Sequence, residues 1–458
     1  MLNIPSNLLN RLKNHRQDHI LEGWDKLTAK ERQEFADQLA RIDFGELETL
    51  FSHRLEPEYV LPSRDRIQPI PVAAPDATPS ERATGEEAFR RGEIAGLVVA
   101  GGQGSRLGFD KPKGMFPIGP VSGVSLFQIH AEKLLGLSRR YSKPIPFLVM
   151  TSPATDADTR AYFAEQRFFG LNPADVIFFQ QGTMPAVCAS TGRLLLEKPG
   201  QLFLSPNGHG GTLTALAESG VLKELRSRGI KHIYYFQVDN PLVKLCDPGF
   251  IGRHVGGKSE ASSKVVFKEK PEEKVGVLAV LDGKCGIIEY TFLPKEMAGE
   301  RQADGTLRYR AGNPAIHLFS VEFLERVTSA EGLPYHVAHK AVTHFDPISQ
   351  VVVTPAGNPN ALKFERFIFD ALPLAERWLA VETSRDEEFS PVKNATGSDS
   401  PATSKAAQIA LHTRWLARAG VSTHGHPLEI SPLFALDEDE LKAKIPKGLT
   451  IAGPTYLR

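Results

Sequence analysis

Cysteine is almost missing from this chain of 458 residues, which holds only Cys188, Cys246 and Cys285. None is spaced as Cys-x-x-Cys and three cannot all pair, which speaks against a disulfide framework and for a reduced, intracellular compartment. Net charge is missing as well. Lys plus Arg and Asp plus Glu both number 54. That balance argues against a general nucleic-acid binder, which usually carries a basic excess, although a pocket needs only a few cations. Nor is there a long apolar run. No segment approaches the ~20 apolar residues of a membrane helix. The opening stretch, charged from Arg11 onward, lacks the apolar centre of a secretory signal. A cytoplasmic protein with neither membrane nor nucleic acid as partner is expected. What is present is globular in composition, 41% apolar and 24% charged. The length suits one large α/β domain with smaller additions at the ends.

Periodicity divides the chain. Residues 1–54 read as helical, because Leu8, Leu9, Leu12, Ile20, Leu21, Trp24, Leu27, Phe35, Leu39 and Ile42 recur at spacings of three and four. Residues 57–79, rich in Pro and Ala, read as an extended strap. From residue 94 short apolar runs begin, at 94–100, 145–150, 176–180, 232–238, 264–268, 275–281 and 315–320. Helical stretches at 125–137, 156–166 and 212–228 lie between several of them. This alternation predicts a doubly wound, mixed but mostly parallel α/β sheet of Rossmann-like type, with ligands at the carboxyl ends of its strands. Residues 362–378 read as an amphipathic helix bent near Pro373, 379–383 as a strand and 405–419 as a helix. The tail from Val421, rich in Pro and Gly, reads as a small β-like cap. The expected divisions are a helical region and strap at 1–90, a central α/β domain at 91–385, and a loop, helix and cap at 386–458.

The strongest local signal is VVAGGQGSRLGFDKPKGMFPIG, residues 98–119. A buried strand runs into Gly101, Gly102, Gln103 and Gly104, and then into Arg106, Lys111 and Lys113. Glycines let a backbone come close to a ligand and aim several N–H groups at it, and cations meet phosphate charge. A P-loop needs Lys after its last glycine, and Gly108 is followed by Phe109. A dinucleotide fingerprint needs a third glycine where Leu107 stands. A phosphate site of another kind is expected.

GGQGSRLG followed by PKGM resembles the UDP-N-acetylhexosamine pyrophosphorylases, a branch of the UTP-dependent sugar nucleotidyltransferases. The resemblance is collinear over roughly residues 90–420. It continues through FFGLNPADVIFFQQGTMPAV, SPNGHGGTLTAL, YFQVDNPLVKLCDPGFIG, KFERFIFD and DEEFSPVKN. It implies a GT-A-like nucleotidyltransferase fold, UTP and a sugar 1-phosphate as substrates, and Mg²⁺ as cofactor with Mn²⁺ as a substitute. In such a reaction a phosphate monoester attacks the α-phosphorus of UTP and pyrophosphate leaves. With its second pKa at about 6, the monoester arrives ionised and needs no general base. Alignment of two anions and stabilisation of charge at phosphorus remain as the work to be done.

The resemblance assigns Arg106 to the leaving pyrophosphate, and Lys113 and Lys393 to the phosphates. From the residue alone, Lys393 is as readily a surface lysine in a polar loop. Asp239 ends an apolar strand, where an acid can hold Mg²⁺ against phosphate oxygens or simply cap a turn. Gln181, whose amide matches part of the uracil edge, Gly101, Gly102, Gln103, Gly104, Gly208 and His209 are expected around the nucleotide. Gly210, Gly276, Glu289, Tyr290, Asn313, Phe367 and Phe369 are expected around the sugar. The two phenylalanines could equally be core residues of an amphipathic helix. The chain departs from the family at His209 and Ile316, both in places of an asparagine. These changes bear on the sugar and leave UTP untouched. A UDP-glucose or broad UDP-sugar pyrophosphorylase is the alternative within the class. A silent nucleotide-sugar sensor is the alternative outside it, and the presence of Arg106, Lys113 and Asp239 opposes that reading. A monomer or weak homo-oligomer is expected.

Overall fold

The apolar runs form strands, and neighbours bury both faces of the central ones. In the computed structural model, which describes residues 4–56, 60–329 and 332–458, the runs become the strands Ile94–Val99, Phe147–Thr151, Val176–Gln180, His232–Gln237, Ala261–Phe267, Val277–Leu281 and His317–Ser320. Residues 1–3 of the expected helical region and 57–59 of the expected strap lie outside the described residues. Among the described residues these strands belong to one eleven-stranded sheet. Its heart is parallel: Val176–Gln180, Phe147–Thr151, Ile94–Val99 and His232–Gln237 pair in that order. His317–Ser320 then pairs antiparallel with His232–Gln237 and with Ala261–Phe267. Beyond it, Trp378–Glu382 runs parallel to Ala261–Phe267. The doubly wound, mixed sheet expected from the alternation is what forms.

Two compact units emerge from the packing. The larger consists of Leu61–Gln180, Thr212–Gly332 and Phe369–Arg458, and the smaller of Met1–Val60, Gln181–Gly211 and Leu333–Ile368. These divisions differ from cuts at 90 and 385, for a reason of burial. In the smaller unit Leu12, Trp24, Phe35 and Leu39 share one apolar core with Val187, Leu196, Leu202, Leu362 and Phe364. The N-terminal helices therefore cover segments supplied by the middle of the chain. In the larger unit the C-terminal residues have their own small core of Leu416, Leu428, Ile430, Leu441 and Ile451. There Leu428–Ile430 pairs in parallel with Thr455–Leu457, the cap expected of the tail. No helix among the described residues is long and apolar enough to cross a membrane.

Local chemistry sets the element ends. Thr28 with Glu31, and Thr78 with Glu81, make reciprocal capping boxes at the starts of Ala29–Ala40 and Pro79–Arg90. The helix expected at 212–228 is broken in two, Gly211–Glu218 and Val221–Ser227, by Gly220 at φ +77°. One expectation fails outright. Residues 362–378 do not form an amphipathic helix. Ala361–Glu365 is a strand paired with His336–Lys340, a short 3₁₀ helix follows at Ile368–Leu374 with Pro373 inside it, and Trp378–Glu382 is again a strand. The apolar positions of this segment fit periods of 2 and 3.6 alike. Leu362 and Phe364, two residues apart, enter the same core, so the strand period prevails.

Candidate active site

In the larger unit the strand order reverses at Ile94–Val99. The next strand along the chain, Phe147–Thr151, lies on one side and His232–Gln237 on the other. Loops leaving such a pair diverge and open a crevice at the carboxyl ends. The two loops that leave here are the glycine-rich turn and the turn that carries Asp239.

The glycine-rich turn is fixed by its backbone. Ser152 Oγ donates to Gly101 O at 2.8 Å, the Lys113 N–H to Gly102 O at 3.0 Å, and the Gly104 N–H to Lys111 O at 2.9 Å. Gln103 reaches sideways, its Nε2 donating to Ala154 O at 3.1 Å. Gly114 lies so close to Phe127 that a Cβ would stand 2.3 Å from the ring. That contact holds the Lys113 turn flat against the helix Leu126–Tyr141. Lys113 Nζ then meets Asp239 Oδ2 at 3.3 Å, with the two side chains 19% and 15% exposed. Arg106, on the 3₁₀ turn Ser105–Leu107, is exposed and forms no ion pair among the described residues. Of the two expected cations on this loop, one therefore faces the strand ends and the other faces solvent.

The Asp239 turn is clamped from two sides. On one side the Val392 N–H donates to Asp239 O at 2.8 Å, Asn240 Nδ2 to Glu388 O at 2.7 Å, and the Ser390 N–H to Asn240 Oδ1 at 3.1 Å. These bonds bring the loop of Lys393 back to Asp239. Lys393 itself is 45% exposed, 3.9 Å from Asp399. On the other side His130 Nε2 donates to Val238 O at 2.9 Å. Lys133 Nζ donates to Pro241 O and Val243 O at 2.6 and 2.7 Å. Burial, aided by the nearby Lys133, pulls the His130 pKa to about 3, so the ring is neutral. Burial also draws Lys133 down to about 7. Sequence reasoning passed over His130, Lys133 and the buried Lys264 and Glu388. For His130, Lys133 and Lys264 the one available signal was a polar residue within an otherwise apolar helix face or strand, and Glu388, in the charged run Arg385–Glu388, gave none.

Three of the expected sugar residues meet in the larger unit. The Asn313 N–H donates to Gly276 O at 2.8 Å, and a Cβ on Gly276 would stand 2.9 Å from Glu289 Oε1. Asn313 Oδ1 accepts the Ala315 N–H at 2.9 Å, so that oxygen is engaged in its own turn. Tyr290 is 44% exposed. Ile316, one of the two departures, packs in the main core at 1% exposure, where an apolar side chain is what the site requires. Phe369 is half-buried.

The remaining residues lie in the smaller unit. Gln181 is 7% exposed, not the solvent-facing turn residue its type suggests. Gly208, at φ +80°, and Gly210 run against the backbone of Arg366 and Phe367, and the Gly210 N–H donates to Arg366 O at 2.7 Å. A Cβ would come within 2.4 Å of Arg366 O at Gly208 and 2.5 Å of Phe367 N at Gly210. Between them His209 Nδ1 accepts the Ile368 N–H at 3.2 Å, which puts its proton on Nε2. Burial first, and His336 second, pull its pKa to about 4, so His209 is neutral near pH 7. The Phe367 ring lies 5.4 Å from that of His209 and 4.6 Å from that of His336. Phe367 is half-buried in this aromatic group rather than a helical core residue.

Over residues 63–415 the chain matches the family described as UTP--glucose-1-phosphate uridylyltransferase. The chain belongs to that family. Within it, UDP-N-acetylglucosamine diphosphorylase 2 of Arabidopsis thaliana is 36% identical over 98% of this chain and 93% of its own length. UDP-N-acetylglucosamine pyrophosphorylase of Saccharomyces cerevisiae is 36% identical over 88% of this chain and 89% of its own. The crystal structure of the uridine diphosphate N-acetylglucosamine pyrophosphorylase from Trypanosoma brucei, in complex with inhibitor, superposes with a TM-score of 0.83 at 28% identity. It covers 100% of this chain and 99% of that one. Family membership makes the chain a nucleotidyltransferase, and its doubly wound sheet is the fold of that class.

Proposed function

We propose that this uridylyltransferase joins UTP to N-acetylglucosamine 1-phosphate, or the galactosamine epimer, and releases pyrophosphate. The observation that carries the site is the approach of Lys113 to Asp239 at the switch point, beneath a glycine turn whose Gly102 would meet nothing if it bore a Cβ. The sugar rests on the relatives named for UDP-N-acetylglucosamine, which align over nearly the whole chain. An oxygen of the sugar phosphate attacks the α-phosphorus in line, the bond from that phosphorus to the bridging oxygen of the β-phosphate breaks, and pyrophosphate departs with the electron pair. Lys113 offsets charge on the transferring phosphate. Arg106, free to swing from its exposed turn, meets the pyrophosphate, and Lys393 reaches the phosphates from the loop tied to Asp239. Within the larger unit, Gly101, Gly102, Gln103 and Gly104 take the nucleotide. Gly276, Glu289, Tyr290, Asn313 and Phe369, all of the larger unit, take the sugar.

Asp239 fits a magnesium ion of one kind. No group of three or more His, Cys, Asp or Glu side chains able to hold a metal occurs among the described residues. Mg²⁺, however, commonly takes one or two carboxylates and completes its shell with phosphate oxygens and water. Asp239 supplies such a carboxylate, and the ion, when bound, neutralises phosphate charge. We place the reaction in the cytoplasm.

Pyrophosphate release from UTP with Mg²⁺ and a panel of sugar 1-phosphates tests this reading. N-Acetylglucosamine 1-phosphate should give the highest kcat/KM. Lys113→Ala should lower kcat about 10²–10³-fold and change UTP affinity much less, if the lysine acts on the transition state. A preference for glucose 1-phosphate would move the assignment to the alternative branch, and no release with any sugar would leave only the sensor.

A further inference from the structure

Lys264, on the strand Ala261–Phe267, has a side chain only 2% exposed. Its Nζ meets both carboxylate oxygens of Glu388 at 2.6 and 2.7 Å and Asp247 Oδ2 at 3.1 Å. Burial works to lower the pKa of this ammonium, but the two carboxylates outweigh it and hold it above the ordinary lysine value. A buried triad of charges is a weak source of stability, since desolvation offsets most of the attraction. Its place in the chain is more telling. Glu388 ends the short helix Arg385–Glu388, and its carbonyl accepts Asn240 Nδ2. Asn240 Oδ1 accepts the Ser390 N–H, Ser404 Oγ donates to Ser390 O at 2.9 Å, and the Val392 N–H closes on Asp239 O. Lys393 is the next residue. An unbroken series of contacts thus runs from the middle of the sheet to the two charged side chains of the site.

We propose that Lys264, Glu388 and Asn240 form a positioning relay that holds the Lys393 loop against Asp239, so that both charges bear on the same phosphates. This rests on reading Lys393 and Asp239 as phosphate-site groups. None of the three relay residues touches substrate. Glu388 fixes where the loop starts, and Asn240 fixes its distance from Asp239. Lys264 anchors Glu388 with a bidentate grip that a neutral partner does not reproduce.

The test is a double-mutant cycle on the full-length enzyme, with UTP, N-acetylglucosamine 1-phosphate and Mg²⁺ as the assay. Glu388→Gln keeps the side-chain shape and leaves Lys264 paired with Asp247. It should lower kcat about 10- to 100-fold, as expected for a misplaced catalytic group, with KM for UTP within about twofold. In a Lys393→Ala background the same change should lower kcat no further, because the group it positions is gone. Asn240→Ala leaves the buried triad intact and should behave alike, so it carries the test if Glu388→Gln does not fold. Losses that multiply in both backgrounds, or an unchanged kcat in both variants, would overturn the relay alone. Full turnover by Lys393→Ala itself would overturn the reading beneath it, and the relay with it.

Discussion

In the larger unit Gly102 sits at an open turn, and a Cβ there would touch nothing within 4 Å. In the smaller unit Gly208 and Gly210 are pressed against the backbone of Arg366 and Phe367, where a Cβ would fall 2.4–2.5 Å from main-chain atoms. One glycine leaves space unfilled and the other two remove a clash. The open glycine follows a strand end at the switch point, beside a lysine and an aspartate in contact. The packed pair holds His209 and Phe367 in register from the two sides of one close backbone approach. Motifs that look alike as strings of glycine can therefore serve access in one place and packing in another, and only neighbours distinguish them.

Gly210→Ala should have the largest effect. Main-chain atoms must shift to admit the methyl group, at a destabilisation of about 1–3 kcal/mol, measured by urea unfolding. Unchanged stability would mean that the 366–367 segment yields freely, which would end the contrast. Gly102→Ala should leave stability within about 0.5 kcal/mol of the native protein and yet lower kcat/KM for UTP about tenfold, as the methyl group meets the ligand rather than the protein. A fall in stability with normal kinetics would reverse the two roles. The smallest effect belongs to His209. Its folded pKa of about 4 lies below the ordinary 6.5. The unfolded chain therefore takes up its proton first, and this residue weakens stability as pH falls from 6.5 toward 4. Above that window the ring is neutral. The ratio of kcat/KM between the native enzyme and His209→Asn should then stay constant from about pH 5.5 to 8. A ratio that changes near pH 6.5 would show a charged imidazole in the sugar or nucleotide contact.

Much of this was legible in the residues themselves. Each buried parallel strand announced itself as an apolar run, because both faces are covered and no alternation is needed. The glycine turn with Lys113 was legible because a run of glycines directly after an apolar strand marks a tight turn at the strand end. Residues 362–378 were not legible, as their spacing satisfies a helix and a strand equally and the partner strand His336–Lys340 decided between them. Gln181 and Ile316 show the same limit at single positions. A polar residue in a turn is usually wet, but Gln181 is buried, and a change from asparagine to isoleucine looked like altered specificity until Ile316 was found in the core.

By itself the sequence determined the class of sheet, the strand end that carries the glycine turn and the charges available there, because strand periodicity and glycine–cation spacing are local properties of the chain. The tertiary structure alone decided that Lys113 meets Asp239, that Val392 ties the Lys393 loop to the same aspartate, and that helices near the N-terminus close over segments from the middle of the chain. Those facts depend on contacts between residues more than a hundred positions apart, and such contacts follow from burial and complementary shape, which no single stretch of sequence contains.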